Sequence, residues 1–553
     1  MSNSRVVPSW QEETDEPEKN FDILNVRGEA RLAALQSAPH AIAQTGEAKA
    51  QWKIGAFISL ALTFAAFVIH AYHPYAEDGG VYLTGVKHLL YPALYPAWSG
   101  FATAHLRYEL FAPMVALLVR TTGISLMAVM LALYLVGIWA TLFAGWLIAS
   151  RCTASPTGRL GAVSVLALTL TIPVAGTSLM LMDPYVTART ISTPCGMLAL
   201  VGALDAIADL RFGRALQWKS VALCVAGLAI AVLAHPLMAA YSFGCVLLLI
   251  ASSPRNRRVR RIAIAAICIG CFAAAACLAG FSPAVSSAYT RVALTRSYWF
   301  VATWHWYEQF GLIAPLLVLI LLARSTTAPA AKDLARMAVA TGVTALAVAF
   351  TFARVSSAGS IVARLQPLRS YQTIYILMLL ALGAFLGERV LRDKTWRWAV
   401  LFAALGPSMY FVQDQTFPHS THIEIPWTAP SNQWQQGFLW IRNNTPVSAV
   451  FAIDADYINA PGEDAQNFRA IAERSVLPDY EKDGGIASIA PDLTPDWTEG
   501  ENLQQQLNNG VGPAQISRLR SVGVDWVALT ANTPTTLSCA YANQAMKVCP
   551  LPR

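Results

Sequence analysis

Glu77 and Asp78 are adjacent carboxylates followed by Gly79 and Gly80, just beyond an apolar stretch that begins near Lys53. A carboxylate in that place can take a proton from a sugar hydroxyl, orient that hydroxyl, or help hold a divalent cation. The two glycines let the backbone turn sharply and come close to a ligand. The same four residues also suit a solvated turn with an acidic cap for the next helix. Arginines supply the complementary chemistry, because guanidinium groups grip phosphate through fork-like hydrogen bonds. Arg364 and Arg369 share a basic segment with no carboxylate to neutralise it, and Arg189 closes the run Asp183-Pro184-Tyr185-Val186-Thr187-Ala188-Arg189. For each arginine the alternative is snorkelling to lipid headgroups, and for Arg189 an ion pair with Asp183. His105, in an aromatic and histidine series from Tyr82 to Tyr108, and His235, before Pro236, are candidate substrate contacts. For His235 a structural turn is the competing account.

Two further patterns carry less. His419, His422 and Glu424 have metal-like spacing, but they lie in a Pro-rich stretch without a supporting helix, which argues against a zinc site. Cys268 and Cys271 form a CxxC inside an apolar run, with no second pair or histidine near in sequence, so small apolar packing accounts for them. Cys539 and Cys549, ten residues apart, suit a disulfide if their domain faces an oxidising compartment.

The elements that must position these residues are membrane helices. Hydrophobic residues make up 55% of the 553, charged residues 13%, and mean hydropathy is +0.44. A soluble chain of this length would not carry such a surface. Apolar stretches at 53–71, 124–149, 160–181, 191–208, 219–234, 237–252, 262–281, 309–323, 336–353, 371–387 and 397–413 give about eleven spans of a hydrocarbon layer ~30 Å thick. The net charge of +7 does not gather into one patch with interleaved aromatics, which sets nucleic acid aside. It follows the positive-inside rule instead: Arg255, Arg257, Arg258, Arg260 and Arg261, Arg324, Lys332 and Arg336, and Arg389, Arg392 and Lys394 all fall on one side. That places the N-terminus in the cytoplasm and, after an odd number of spans, the C-terminus outside.

The expected organisation is a cytoplasmic, partly disordered segment at 1–52 with a short amphipathic helix over 29–37, a transmembrane domain at 53–413, a linker at 414–437 and an extracytoplasmic α/β domain at 438–553. Residues 53–71 read as a signal anchor. The first outside loop, 72–123, ends in an apolar run too short to span, from Glu109 to Arg120, which suits a helix lying in the interface. No nucleotide-binding glycine motif occurs in the C-terminal part.

The acidic pair in the first outside loop, the interfacial helix, the many spans, His235-Pro236 and the outer domain together resemble the GT-C superfamily of integral membrane glycosyltransferases. The run Trp440-Ile441-Arg442-Asn443-Asn444-Thr445-Pro446, with Ala472-Glu473-Arg474 and Val524-Asp525-Trp526-Val527, resembles the outer domains of bacterial members. The resemblance implies an α-helical polytopic membrane fold with a small soluble α/β domain, set in a bacterial inner membrane and serving the cell envelope. It implies hexosyl or pentosyl transfer from a polyprenyl-phosphate-linked donor to an acceptor glycan, lipid or protein at the outer face. Asp78 or Glu77 would be catalytic, Arg364, Arg369 and Arg189 would bind the donor phosphate, and His235 and His105 would contact substrate. A divalent cation is the one cofactor the acidic pair would accommodate. Two other functions compete: a transporter or flippase, which needs ionisable groups deep in several spans, and a non-enzymatic scaffold whose working part is 438–553.

Overall fold

The computed structural model describes residues 51–552 apart from 461–463, 465 and 506. The amphipathic helix expected at 29–37, with nearly all of the N-terminal segment expected at 1–52, lies outside the described residues. The chain runs through α1 (Gln51–His70), then α2 (Glu77–Leu90), α3 (Ser99–Thr103), α4 (Phe111–Thr122), α5 (Leu126–Cys152), α6 (Pro156–Leu168) and α7 (Arg189–Arg211). It continues with α8 (Trp218–Ala234), α9 (Pro236–Ser252), α10 (Arg257–Gly280), α11 (Ser287–Leu294), α12 (Trp306–Ser325), α13 (Pro329–Phe352), α14 (Ile361–Leu365), α15 (Tyr371–Leu386) and α16 (Thr395–Thr416).

Among the described residues, seven helices are long and apolar enough to cross a membrane: α1, α5, α7, α10, α12, α13 and the run Ile361–Leu391 through α14 and α15. The other four expected spans take a different form. α8 and α9 are apolar but 17 residues each, about 25 Å of helix and short of the hydrocarbon thickness. Pro236 sits in the first turn of α9, where its missing N–H costs nothing, and the break at His235 follows. α16 is longer, 22 residues with Pro407 inside it, but less apolar.

The stretch expected as a span at 160–181 is a correction. α6 ends at Leu168, and residues 169–188 run without helix, with Ala175 and Ser178 at positive φ and an isolated bridge between Pro173 and Met180. Pro173 cannot donate into a helix, and the run's hydropathy hides that break. His70 fastens the segment, its Nδ1 2.8 Å from the Thr171 hydroxyl and its Nε2 2.8 Å from the Ala167 carbonyl. Small residues let helices meet closely elsewhere. A Cβ on Gly202 would strike the Cys224 backbone of α8, and one on Gly161 the Gly383 carbonyl of α15.

Residues 417–432 form turns, and beyond them lie α17 (Gln433–Asn444), β1 (Val450–Ile453), α18 (Phe468–Ala472), β2 (Ser475–Val476), α19 (Lys482–Ile489), α20 (Thr494–Gln504), α21 (Pro513–Ser521), β3 (Trp526–Thr530), β4 (Tyr541–Ala542) and β5 (Met546–Pro550). The sheet order is β2-β1-β3-β5-β4, with β2, β1 and β3 parallel and β3, β5 and β4 antiparallel. Alternate side chains face opposite ways. Phe451, Ile453, Ala528, Met546 and Val548 pack with Trp434 and Phe438 on one face, while Val450, Ala452, Val527 and Leu529 pack with Leu503, Leu507 and Leu519 on the other. The core is therefore two-layered, and Cys539 and Cys549 are joined by a disulfide at its edge.

Candidate functional site

Glu77 and Asp78 open α2, and Glu77 holds φ 52°, the left-handed region that costs a non-glycine residue of order 1–3 kcal/mol. Surrounding structure imposes it. Residues 72–76 are stitched to distant chain by bridges from Tyr72 to Ile423 and from Ala76 to Gln466. Buried His73 binds Glu424 through Nδ1 at 3.0 Å, and Gln435 Nε2 donates to the other Glu424 oxygen at 2.9 Å. Gly79 and Gly80 follow because nothing larger fits: a Cβ would meet Tyr185 and the Pro74 carbonyl at the first, Asn467 and the Tyr75 carbonyl at the second.

The acidic pair faces two cations from separate parts of the sequence. Lys482 Nζ, at the start of α19, contacts Glu77 Oε2 and lies 3.5 Å from Asp78 Oδ1. Arg189 Nη2, at the start of α7, lies 3.4 Å from Asp78 Oδ2 and 2.8 Å from Asp183 Oδ2. Burial works to raise the Asp78 pKa, but Lys482, Arg189 and Arg369, aided by His105, outweigh it and hold the carboxyl well below its usual range. Burial likewise opposes the Lys482 ammonium, and Glu77 and Asp78 overcome it, keeping that pKa well above the ordinary lysine value. Asp78 is thus a carboxylate at neutral pH, 38% exposed and able to accept a hydrogen bond.

Three more sequence-selected residues join this space. Arg369, half-buried with its ring neighbour Tyr298 6.0 Å away, lies within electrostatic reach of Asp78 and Arg189, and its Nε has no hydrogen-bond partner. His235 lies within reach of Arg189, Arg369 and His105, and its buried Nδ1 is likewise unpartnered. His105 rests against Tyr82, ring centres 5.1 Å apart, and burial lowers its pKa so that the imidazole is neutral at pH 7. Arg364 is placed apart: its Nε donates to the Tyr289 hydroxyl at 3.1 Å and its guanidinium lies over that ring, while the same hydroxyl donates to the Ser488 carbonyl at 2.7 Å. It braces α11 against α19 rather than standing beside Asp78.

Two members of the site have no mark in the sequence. Glu109 is buried, its Oε1 unpartnered and 4.0 Å from His105 Nδ1. Burial pushes its pKa up to about 8, with Arg189 and the Tyr82 hydroxyl pulling the other way. Lys482 is held by its own framework: Asp479 Oδ1 accepts its backbone N–H at 2.6 Å, and the neighbouring Asp483 takes Arg469 Nη1 on both oxygens at 2.8 and 2.7 Å. Val81, Phe101 and Ala104 of the first loop pack with Ile486, Leu493 and Trp497, fixing α19 over α2. An acidic pair with glycines stands out in a sequence, whereas a lysine on a soluble helix does not.

The donor set does not suit a resident divalent cation. Ca²⁺ takes six to eight oxygens, and Mg²⁺, which keeps several waters, still needs one or two carboxylates free to ligate it. Among the described residues no three metal-type side chains converge, and Glu77 and Asp78 already meet an ammonium and a guanidinium.

No protein family and no curated protein matches the sequence. Among solved structures the chain is similar to the Archaeoglobus fulgidus oligosaccharyltransferase in its apo form, with a TM-score of 0.44 and 12% identity, over 87% of this chain and 69% of that one.

Proposed function

We propose that the chain is a membrane glycosyltransferase that moves a sugar from a polyprenyl-phosphate-linked donor to an acceptor hydroxyl at the outer face of a bacterial inner membrane. The observation that carries this reading is the convergence of an ionised, partly exposed Asp78 with cationic and unpartnered polar groups, Arg369 Nε and His235 Nδ1 above all. Buried polar atoms without partners are uncommon enough to need an explanation, and a phosphate with its sugar would satisfy both. Under this reading Asp78 accepts the hydrogen bond of the acceptor hydroxyl and takes its proton as oxygen bonds to the anomeric carbon. Arg369 and Arg189 stabilise the charge on the departing phosphate, the step at which fixed cations count most. Asp78 is a weak base in these surroundings, so orientation of the acceptor is a large part of its work. Arg364 supports the site through Tyr289 and does not touch the phosphate.

The deciding experiment is sugar transfer by purified protein in nanodiscs, offered a panel of polyprenyl-phosphate sugars, with Asp78→Asn alongside. Transfer by the wild type that drops at least a hundredfold in the variant supports the reading. Folded wild-type protein that neither binds nor turns over any member of the panel rejects it.

A further inference from the structure

α10, α12 and α13 enclose a groove of about 860 Å³ with no bearing on the site above. Val339 and Val343 of α13, Phe272 of α10 and Ile320 of α12 line it. Its character changes at one end, where Arg324, Lys332 and Arg336 line it. Lys332 and Arg336 are one turn apart on α13, so both side chains project from the same face. Arg324 closes α12 just before the short connection to α13.

No carboxylate lines the groove. The nearest in sequence, Asp333, is buried and already held by Arg211 at 2.5 Å and Arg336 at 2.6 Å. The groove therefore offers an apolar channel along helices long enough to span a membrane, with positive charge at the depth where those helices end. Only 6% of the apolar window of α10 is buried, so in a bilayer its outer face meets hydrocarbon and the groove opens sideways to lipid. α13 ends at Phe352, which puts Lys332 and Arg336 about 30 and 24 Å of helix away from its far end.

We propose that this groove binds one anionic phospholipid, its phosphate among Arg324, Lys332 and Arg336 and its acyl chains along α13. Basic pockets between membrane helices select anionic headgroups by charge, each cation contributing on its own. The polyprenyl donor is excluded as occupant because none of the residues that line the groove belongs to the site around Asp78 and Arg369.

The test is native mass spectrometry of the full chain released from detergent with equal phosphatidylglycerol and phosphatidylcholine. The wild type is expected to retain phosphatidylglycerol preferentially, by roughly thirty-fold over an Arg324→Gln/Lys332→Gln variant, the combined worth of two juxtamembrane cations. That variant leaves Arg336 and its Asp333 pair intact, so the fold is kept, and an unchanged melting temperature checks this. Val343→Trp, which fills the channel, is expected to abolish retention of both lipids. Equal retention of the two lipids by the wild type, or unaltered phosphatidylglycerol retention in the double variant, overturns the proposal. So does a dimer that Val343→Trp dissolves, which would assign the groove to a second copy of the chain.

Discussion

Glu109 gives the residue scale its sharpest test. Its carboxyl keeps a proton below about pH 8 because burial penalises the charge more than Arg189 and Tyr82 favour it. As pH rises through that value the proton leaves, and a new negative charge appears beside His105 and near Arg189. Binding of an anionic donor should then weaken, by several-fold between pH 7 and pH 9, an effect of about 1 kcal/mol for one charge at partly screened distance. Glu109→Gln removes the titrating group, so its binding curve should stay flat over the same range, measured by donor-lipid titration at each pH. A wild-type curve with no alkaline limb would show that Glu109 does not face the ligand. Lys482→Gln tests the opposite sign. Without that cation the Asp78 pKa should rise toward its ordinary value, and the acid limb of the activity profile should move to higher pH.

At the scale of elements, what counts is how α2 and α19 are held. Gly80 lies against Asn467 and the Tyr75 carbonyl, so Gly80→Ala forces backbone to move and should cost about 1–3 kcal/mol, read as a lowered midpoint in thermal unfolding. Arg469 and Asp483 are a buried, doubly hydrogen-bonded pair. Arg469→Ala strands the carboxylate and should cost about 3–5 kcal/mol, with activity falling because Lys482 loses its anchor. Hydropathy made most of the bundle legible in the sequence, since a run of apolar residues of the right length has few alternatives to a membrane helix. It failed at 160–181, where Pro173 interrupts the hydrogen-bond ladder while leaving the average apolar character unchanged. It also could not separate Arg364 from Arg369: five residues apart in one basic segment, they point to different partners because Gln366, at φ 52° before Pro367, turns the chain between them.

At the scale of the molecule, the segment 72–123 and the C-terminal domain are one packed unit. Lys87 of α2 binds Glu473 and the Ala470 carbonyl, each at 2.6 Å, Tyr95 donates to the Arg469 carbonyl at 2.9 Å, and Arg107 pairs with Asp492. A chain ending after residue 432 should therefore show faster hydrogen–deuterium exchange across 77–108, measured on protein in nanodiscs, while α5 and α7 keep their protection. Unchanged exchange in the loop would mean that it folds without the domain. The acidic pair and the arginines were visible in the sequence as residue types out of place beside hydrocarbon. Lys482 and Glu109 were not, since the first sits on an ordinary soluble helix and the second begins an apolar run, and only the three-dimensional packing brings them to Asp78.

Asp78 and Lys482 are 404 residues apart. Synthesis at about 5–20 residues per second separates their emergence by roughly 20 to 80 s. For that interval the nascent protein carries its acidic pair with the matching ammonium not yet made, so this corner of the molecule is among the last parts to be assembled. A ribosome that stops early leaves behind a bundle of helices whose acidic pair has no lysine to meet it.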